Sequence, residues 1–140
     1  MGFNDQVPAL RAARTRIEPA KSERRILVLE DNPDSAESLR VLLTLCGYQV
    51  AVARTCQEGL AKARKLRPHV VLCDIDLPDG DGYAVASMLR QGSDTGTRLI
   101  AVTGYGDTRH RQRALAAGFH QHLVKPVDPR ELLEELELPL

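Results

Sequence analysis

The chain has 140 residues, 43% of them hydrophobic and 27% charged, with 19 bases balancing 19 acids. That length supports one domain burying roughly two-thirds of its unfolded surface without metal or disulfide support, and the charge balance excludes a strong field toward nucleic acid or an anionic membrane. No apolar run approaches the ~18 residues of a membrane span, and MGFNDQ fits neither a signal peptide nor a myristoylation signal, since position 6 is Gln.

Residues 1–23 carry Gly2, Pro8 and Pro19, the bases Arg11, Arg14 and Arg16, and a weak helical pattern at Leu10, Ala13 and Ile17. They read as a flexible basic lead or linker, with a short docking helix as the alternative; residues 24–140 form the domain. Ile26–Leu29 is an apolar strand ending in Glu30-Asp31, after which Asn32-Pro33 looks like an N-cap followed by proline at the first helical position. Ala36, Leu39, Leu42, Leu43 and Cys46 recur at helical spacing, and Gly47 suits the C-terminal cap. Tyr48–Ala53 is a second strand, and Thr55 with Glu58 forms a capping box for a helix through Leu66.

Val70, Val71, Leu72 and Cys73 then make a short apolar run rich in β-branched residues, the signature of a strand buried on both faces, and it stops on Asp74. A helix over Tyr83–Arg90 and a loop over Gln91–Thr97 lead to a fourth strand, Arg98–Thr103. Gly104-Tyr105-Gly106 is a turn, and the next helix runs to Ala117 and stops at Gly118. A short fifth strand over His120–Val124 leads to Lys125-Pro126, and Asp128 with Glu131 opens a last helix with a second capping box, bearing Leu132, Leu133 and Leu136 on one face. Five strand–helix units imply an α/β domain with an all-parallel, doubly wound sheet. The odd set Cys46, Cys56 and Cys73 suits neither zinc nor disulfides, and reads as small core residues of a cytoplasmic protein.

In a sheet of order 2-1-3-4-5 the strand order reverses between strands one and three, so Glu30, Asp31 and Asp74 crowd one crevice. Two unit charges at ~4 Å with an effective dielectric near 20 repel by about 4 kcal/mol, so three carboxylates there require a counter-charge. Hard oxygen ligands suggest Mg²⁺, Lys125 supplies a point charge, and Thr103 offers a hydroxyl. A nucleophilic carboxylate, a divalent metal, a lysine and a hydroxyl are what an aspartyl-phosphate site requires.

From Arg25 to about Leu138 the chain resembles the receiver domain of two-component response regulators, a flavodoxin-like fold. The resemblance rests on Glu30-Asp31, on Asp74 with Pro78 and Gly82 beyond it, on Thr103, and on Lys125-Pro126, in the family's order and spacing. It implies that Glu30 and Asp31 hold Mg²⁺, with Asp31 the direct ligand, and that Asp74 is both ligand and phosphoacceptor. Asp76 would lend its backbone carbonyl to the metal, Thr103 would be the switch hydroxyl, Lys125 would contact phosphate, and Pro126 would follow a cis peptide bond.

The implied function is to take a phosphoryl group from the phosphohistidine of a sensor histidine kinase or histidine phosphotransfer protein. The domain would be a regulatory phosphoacceptor rather than an enzyme, limited to its own Mg²⁺-dependent phosphorylation and dephosphorylation. The fourth helix, fifth strand and fifth helix would meet a downstream protein or, weakly, a second copy, with no nucleic-acid or membrane contact. HLVKPVDP, with His122 where the family usually carries Tyr or Phe, looks most like receivers of hybrid histidine kinases. His122 is read as the rotating reporter of the switch, with Tyr105 gating the site; the plain alternative is a half-buried strand-edge histidine. Asp76 either tunes the attacking water or is an exposed loop acid. The bases Arg109, His110, Arg111 and Arg113 and the acids Glu131, Glu134, Glu135 and Glu137 read as solvated helix faces.

Two other chemistries fit less well. Asp74-Ile75-Asp76 resembles the D-x-D of haloacid-dehalogenase-type phosphatases, which place that motif on the first strand. A dinucleotide site needs G-x-G-x-x-G after strand one, where EDNPD stands. A phosphorylation-independent interaction domain of the receiver type is the remaining alternative.

Overall fold

The computed structural model describes residues 20–92 and 96–138. Strands and helices alternate as β1 (Arg25–Leu29), α1 (Pro33–Leu45), β2 (Gln49–Ala53), α2 (Cys56–Leu66), β3 (Val70–Asp74), α3 (Gly82–Gln91), β4 (Arg98–Thr103), α4 (Thr108–Ala117), β5 (Gln121–Val124) and α5 (Pro129–Glu137). The strands pair in parallel in the order β2-β1-β3-β4-β5, which is the expected doubly wound, flavodoxin-like sheet. Each parallel connection needs a crossover, and the helices supply it. Asp76–Leu77 also pairs antiparallel with Gly80–Asp81, adding a two-residue ribbon between β3 and α3 that the sequence pattern did not reveal.

Alternation along the strands separates two cores. Leu27 and Leu29 pack with Val71, Cys73, Leu99 and Ala101 on the face covered by α2, α3 and α4. Ile26 and Val28 pack with Val70, Leu72 and Ile100 against Leu43 of α1 and Leu132 and Leu136 of α5. Burial on both faces explains the near-continuous apolar runs. Each fully buried Leu or Ile contributes about 1.5–3 kcal/mol, so the three central strands hold their carboxyl ends firmly. Cys73 belongs to this core, while Cys46 and Cys56 are only partly buried.

The helix ends follow the expected chemistry with two corrections. Asn32 Oδ1 accepts from Asp34 N and Ser35 N, both at 3.0 Å, with Pro33 opening α1. Thr55 Oγ1 accepts from Glu58 N at 3.0 Å, but the Glu58 carboxylate turns to Arg54 N at 2.7 Å, so the first capping box is half formed. At α5 Asp128 accepts from Arg130 N at 2.9 Å, a cap without the expected return bond from Glu131 among the described residues. Gly118 closes α4 at φ 118°, a conformation that a Cβ would strain.

The lead expected over residues 1–23 lies outside the described residues as far as 19. Lys21–Glu23 is a 3-10 turn tied to the domain. Lys21 Nζ is 3.2 Å from Glu137 Oε1, Gln49 Nε2 donates to Ser22 O at 2.8 Å, and the buried Arg24 guanidinium donates to Leu136 O. No helix among the described residues is long and apolar enough to cross a membrane.

Candidate functional site

The carboxyl ends of β1 and β3 lie side by side where the strand order reverses, and both chains emerge there as acids. Glu30 and Asp74 are 4% and 5% exposed, whereas Asp31 faces solvent. One oxygen from each of Glu30, Asp31 and Asp74 lies within 4.8 Å of the others. Lys125 reaches in from the end of β5, its Nζ 2.8 Å from Asp74 Oδ2 and 3.3 Å from Glu30 Oε1. Asp74 Oδ1 accepts from Asp76 N at 3.0 Å, and Glu30 Oε2 accepts from Asn32 N at 3.1 Å.

One ammonium therefore serves two buried carboxylates. Burial raises the Glu30 carboxyl above its usual range; the Asn32 amide and Lys125 oppose this, and the neighbouring charge of Asp74 adds to it. Burial pulls the Lys125 ammonium down, but its hydrogen bond to Asp74 and the charges of Asp74 and Glu30 outweigh that, so its pKa rises. Asp31 adds a third negative charge, and its carboxylate makes no hydrogen bond among the described residues. Surplus negative charge on hard oxygens fits a divalent cation of the Mg²⁺ or Ca²⁺ kind, with Asp31 the most available ligand.

Gly82 opens α3 beside this cluster, and a Cβ there would stand 2.8 Å from Asp74 O and 2.9 Å from Cys73 Sγ. Its absence lets α3 start against the strand end that carries Asp74. Thr103, 1% exposed at the end of neighbouring β4, accepts a hydrogen bond at Oγ1 from Tyr105 N at 3.1 Å. The Lys125-Pro126 peptide is cis, as expected. Asp76 is exposed, and the structure places its amide, not its carboxylate, on Asp74.

His122 and Tyr105 lie outside the acid cluster. His122 pairs in register with Ala101, two residues below Thr103. It is 4% exposed, which corrects the half-buried reading, and neither ring nitrogen makes a hydrogen bond of standard geometry among the described residues. Burial holds the ring's pKa below the usual range, with the charges of Arg111 and His110 acting the same way. Tyr105 is 52% exposed and stacks on His110 at 4.6 Å.

The two charged faces are less purely solvated than their composition implies. His110 is half-buried between Tyr105 and Asp107, and Arg113 lies 4.3 Å over the Tyr83 ring. Glu135 is half-buried and accepts from Arg98 at 2.8 Å and Gln121 at 3.1 Å. Sequence reasoning also missed Asp79, whose two oxygens accept from Cys56 N and Gln57 N across the site's edge. An acid at a Pro-Asp-Gly turn was the only signal, and it does not name the partner.

The response regulator receiver domain model matches residues 26–137. An uncharacterized 14.6 kDa protein in the sodA1 3′ region of Leptolyngbya boryana is 37% identical over 109 residues, covering 77% of this chain and 83% of that protein. The DNA-binding response regulator MtrA of Mycolicibacterium smegmatis is 34% identical over 116 residues, 83% of this chain but only 50% of that protein, so the chain spans about half the length of this relative. The chemotaxis response regulator CheY4 of Vibrio cholerae superposes with a TM-score of 0.79 at 28% identity, over 84% of this chain and 99% of that one. The matched residues contain all of the sheet but Arg25 and every member of the acid–lysine cluster, and the chain belongs to the receiver domain family of response regulators.

Proposed function

We propose that this receiver takes a phosphoryl group from a phosphohistidine onto Asp74, and that the modification changes a partner-binding face. The observation that carries this is the setting of Asp74: buried at a strand end, one oxygen on Lys125 Nζ and the other on Asp76 N, with Glu30 and Asp31 beside it. A carboxylate so held is aimed and restrained, which is what nucleophilic attack on phosphorus requires. The P–N bond of the donor breaks as the bond from an Asp74 oxygen to phosphorus forms, and the donor imidazole keeps the electron pair and takes up a proton.

Glu30, Asp31, Asp74 and the backbone carbonyl of Asp76 would hold Mg²⁺, which when bound neutralises charge on the phosphoryl oxygens. Lys125 stays within reach of those oxygens and offers a preorganised cation. Water attack on phosphorus then breaks the same P–O bond, restores the carboxylate and releases inorganic phosphate. The domain acts on itself and turns over no separate substrate. The donor is a sensor histidine kinase or histidine phosphotransfer protein, at a cytoplasmic location.

Among the described residues Thr103 Oγ1 is bonded only locally, to Tyr105 N, and turning it onto the phosphoryl group would release that bond and Tyr105 with it. Shifting a domain from 1:99 to 99:1 takes about 5.5 kcal/mol. Charge-assisted bonds of ~1.5–3 kcal/mol each from Thr103, Lys125 and an amide supply it. His122 lies buried beneath and reports the change to α4, β5 and α5, where Tyr105, Leu115 and Val124 are exposed for a partner. Incubating the protein with a small-molecule phosphodonor, with and without Mg²⁺, tests the reading by intact mass. One added phosphate that needs Mg²⁺ and vanishes in Asp74→Asn is expected; unmodified wild-type protein after both a phosphodonor and a phosphohistidine donor would mark a phosphorylation-independent interaction domain.

A further inference from the structure

The amides that open α2 are satisfied from two places. Thr55 supplies its side chain to Glu58 N and its carbonyl to Gly59 N, as a helix normally begins. The first two amides turn elsewhere: Cys56 N donates to Asp79 Oδ1 at 2.7 Å and Gln57 N donates to Asp79 Oδ2 at 3.0 Å. These bonds hold the Asp79 carboxyl below its usual range, so an ionised group sits at the positive end of a helix.

Asp79 occupies the turn of the ribbon Asp76–Leu77/Gly80–Asp81. The base of that ribbon is the site itself, where Asp76 N bonds to Asp74 Oδ1 and Gly82 lies against Asp74 O. In between, Leu77 is buried and Cys56 Sγ lies 3.7 Å from Asp81 O. Asp76, Pro78, Asp79, Gly80 and Asp81 are all exposed. The ribbon's base is tied, with Gly82 N donating to Ile75 O at 2.9 Å and Asp81 Oδ1 accepting from Ala84 N at 2.9 Å, but two residue pairs and one buried leucine do little to hold its tip in one orientation. The Asp79 carboxylate fixes its far end to a helix that is itself packed on the sheet.

We propose that Asp79 is a positioning residue for the metal and phosphoacceptor site. It anchors the ribbon so that the Asp76 backbone is already oriented before metal or phosphate arrives. The inference rests on the phosphoacceptor reading given above. Without the anchor, ligand binding must itself order the ribbon, and affinity falls by that cost.

Calorimetric titration of Mg²⁺ into wild type, Asp79→Ala, Asp79→Asn and Thr55→Ala tests this. Asp79→Ala should weaken Mg²⁺ binding by about tenfold, the lower range for loss of a group that orients metal ligands, while the phosphorylation rate at saturating Mg²⁺ stays near wild type. Asp79→Asn loses the same charge but keeps one acceptor oxygen, so its affinity should fall between the two. Thr55→Ala removes a cap from the same helix without touching the ribbon; it should lower the thermal midpoint yet leave Mg²⁺ affinity unchanged. The inference is overturned if both Asp79 variants bind Mg²⁺ as wild type does, or if Thr55→Ala weakens binding as much as they do at equal loss of thermal stability. A folded wild type that takes no Mg²⁺ overturns the phosphoacceptor reading first, and this inference with it.

Discussion

At the carboxyl end of the sheet the buried Glu30 and Asp74 share the single ammonium of Lys125, whereas at the amino end neutral imidazoles complete the backbone pairing. There Arg25 N donates to His69 Nδ1 at 2.9 Å while His69 N donates to Arg25 O at 2.9 Å. The pattern repeats two strands away, with Leu99 N donating to His120 Nδ1 at 2.9 Å and His120 N to Leu99 O at 2.7 Å. The Arg25 guanidinium donates to the carbonyls of Leu66 and Arg67 at the end of α2, and Arg24 to that of Leu136 in α5. One end saturates its backbone groups; the other stores negative charge that its own residues do not fully neutralise. The first arrangement serves stability, and the second is the one that the proposed phosphoryl transfer requires.

The largest expected effect breaks the charged end alone. Lys125→Ala should slow phosphorylation by a small phosphodonor at saturating Mg²⁺ by about 10²–10³-fold, the usual consequence of removing one preorganised contact to a developing charge. The Lys125 side chain is 38% exposed, so screening limits its structural worth to about 1 kcal/mol or less in Mg²⁺-free urea unfolding. A rate within tenfold of wild type would show that Lys125 balances charge in the resting state and does no more.

Glu30→Gln sharpens the comparison by about 1 kcal/mol in the opposite direction, since it removes the burial cost of an ionised Glu30 while Lys125 keeps Asp74 as its partner. Without Mg²⁺ and at neutral pH the urea midpoint should rise, while Mg²⁺ affinity falls about tenfold. The Glu30 carboxyl is raised above its ordinary 4.5, so the folded state holds that proton more readily than the unfolded chain. Its contribution is present below 4.5 and is lost as pH rises through the folded value. The advantage of the Gln variant should therefore shrink on acidification, and an advantage that grows instead would contradict the burial argument.

How much of this was legible in the sequence depends on the range over which each residue acts. The strands were legible because burial on both faces writes itself as runs such as Val70–Cys73, and the site because its acids end those runs. Asp79 was not, since its partners Cys56 and Gln57 are 23 and 22 residues away and its role exists only once the ribbon folds back. The spacing of Thr55 and Glu58 implied a reciprocal cap, but the Glu58 carboxylate found the Arg54 amide one residue earlier. Glu135 looked solvated because a helix face of acids hides which one meets Arg98 on β4. His69 and His120 gave no signal at all, because a ring that accepts from the neighbouring strand depends on register.

The smallest effect tests the saturated end. His120 Nδ1 can accept the Leu99 amide only while it carries no proton. Burial lowers the His120 pKa below its ordinary 6.5, and the charges of Arg98 and Arg90 act in the same direction. A depressed folded value contributes stability that is fully present above 6.5 and is lost as pH falls through the folded value, because the unfolded chain then takes up the proton first. Acid thus weakens the amino end, whereas protonation of Glu30 relieves the carboxyl end. His120→Asn offers an oxygen to the same amide without titrating, so the fall in urea midpoint just below pH 6.5 should become shallower with little change at pH 8. An unchanged slope would assign the acid sensitivity to His122 instead, and would leave the Leu99 amide as a contact whose loss water can make good.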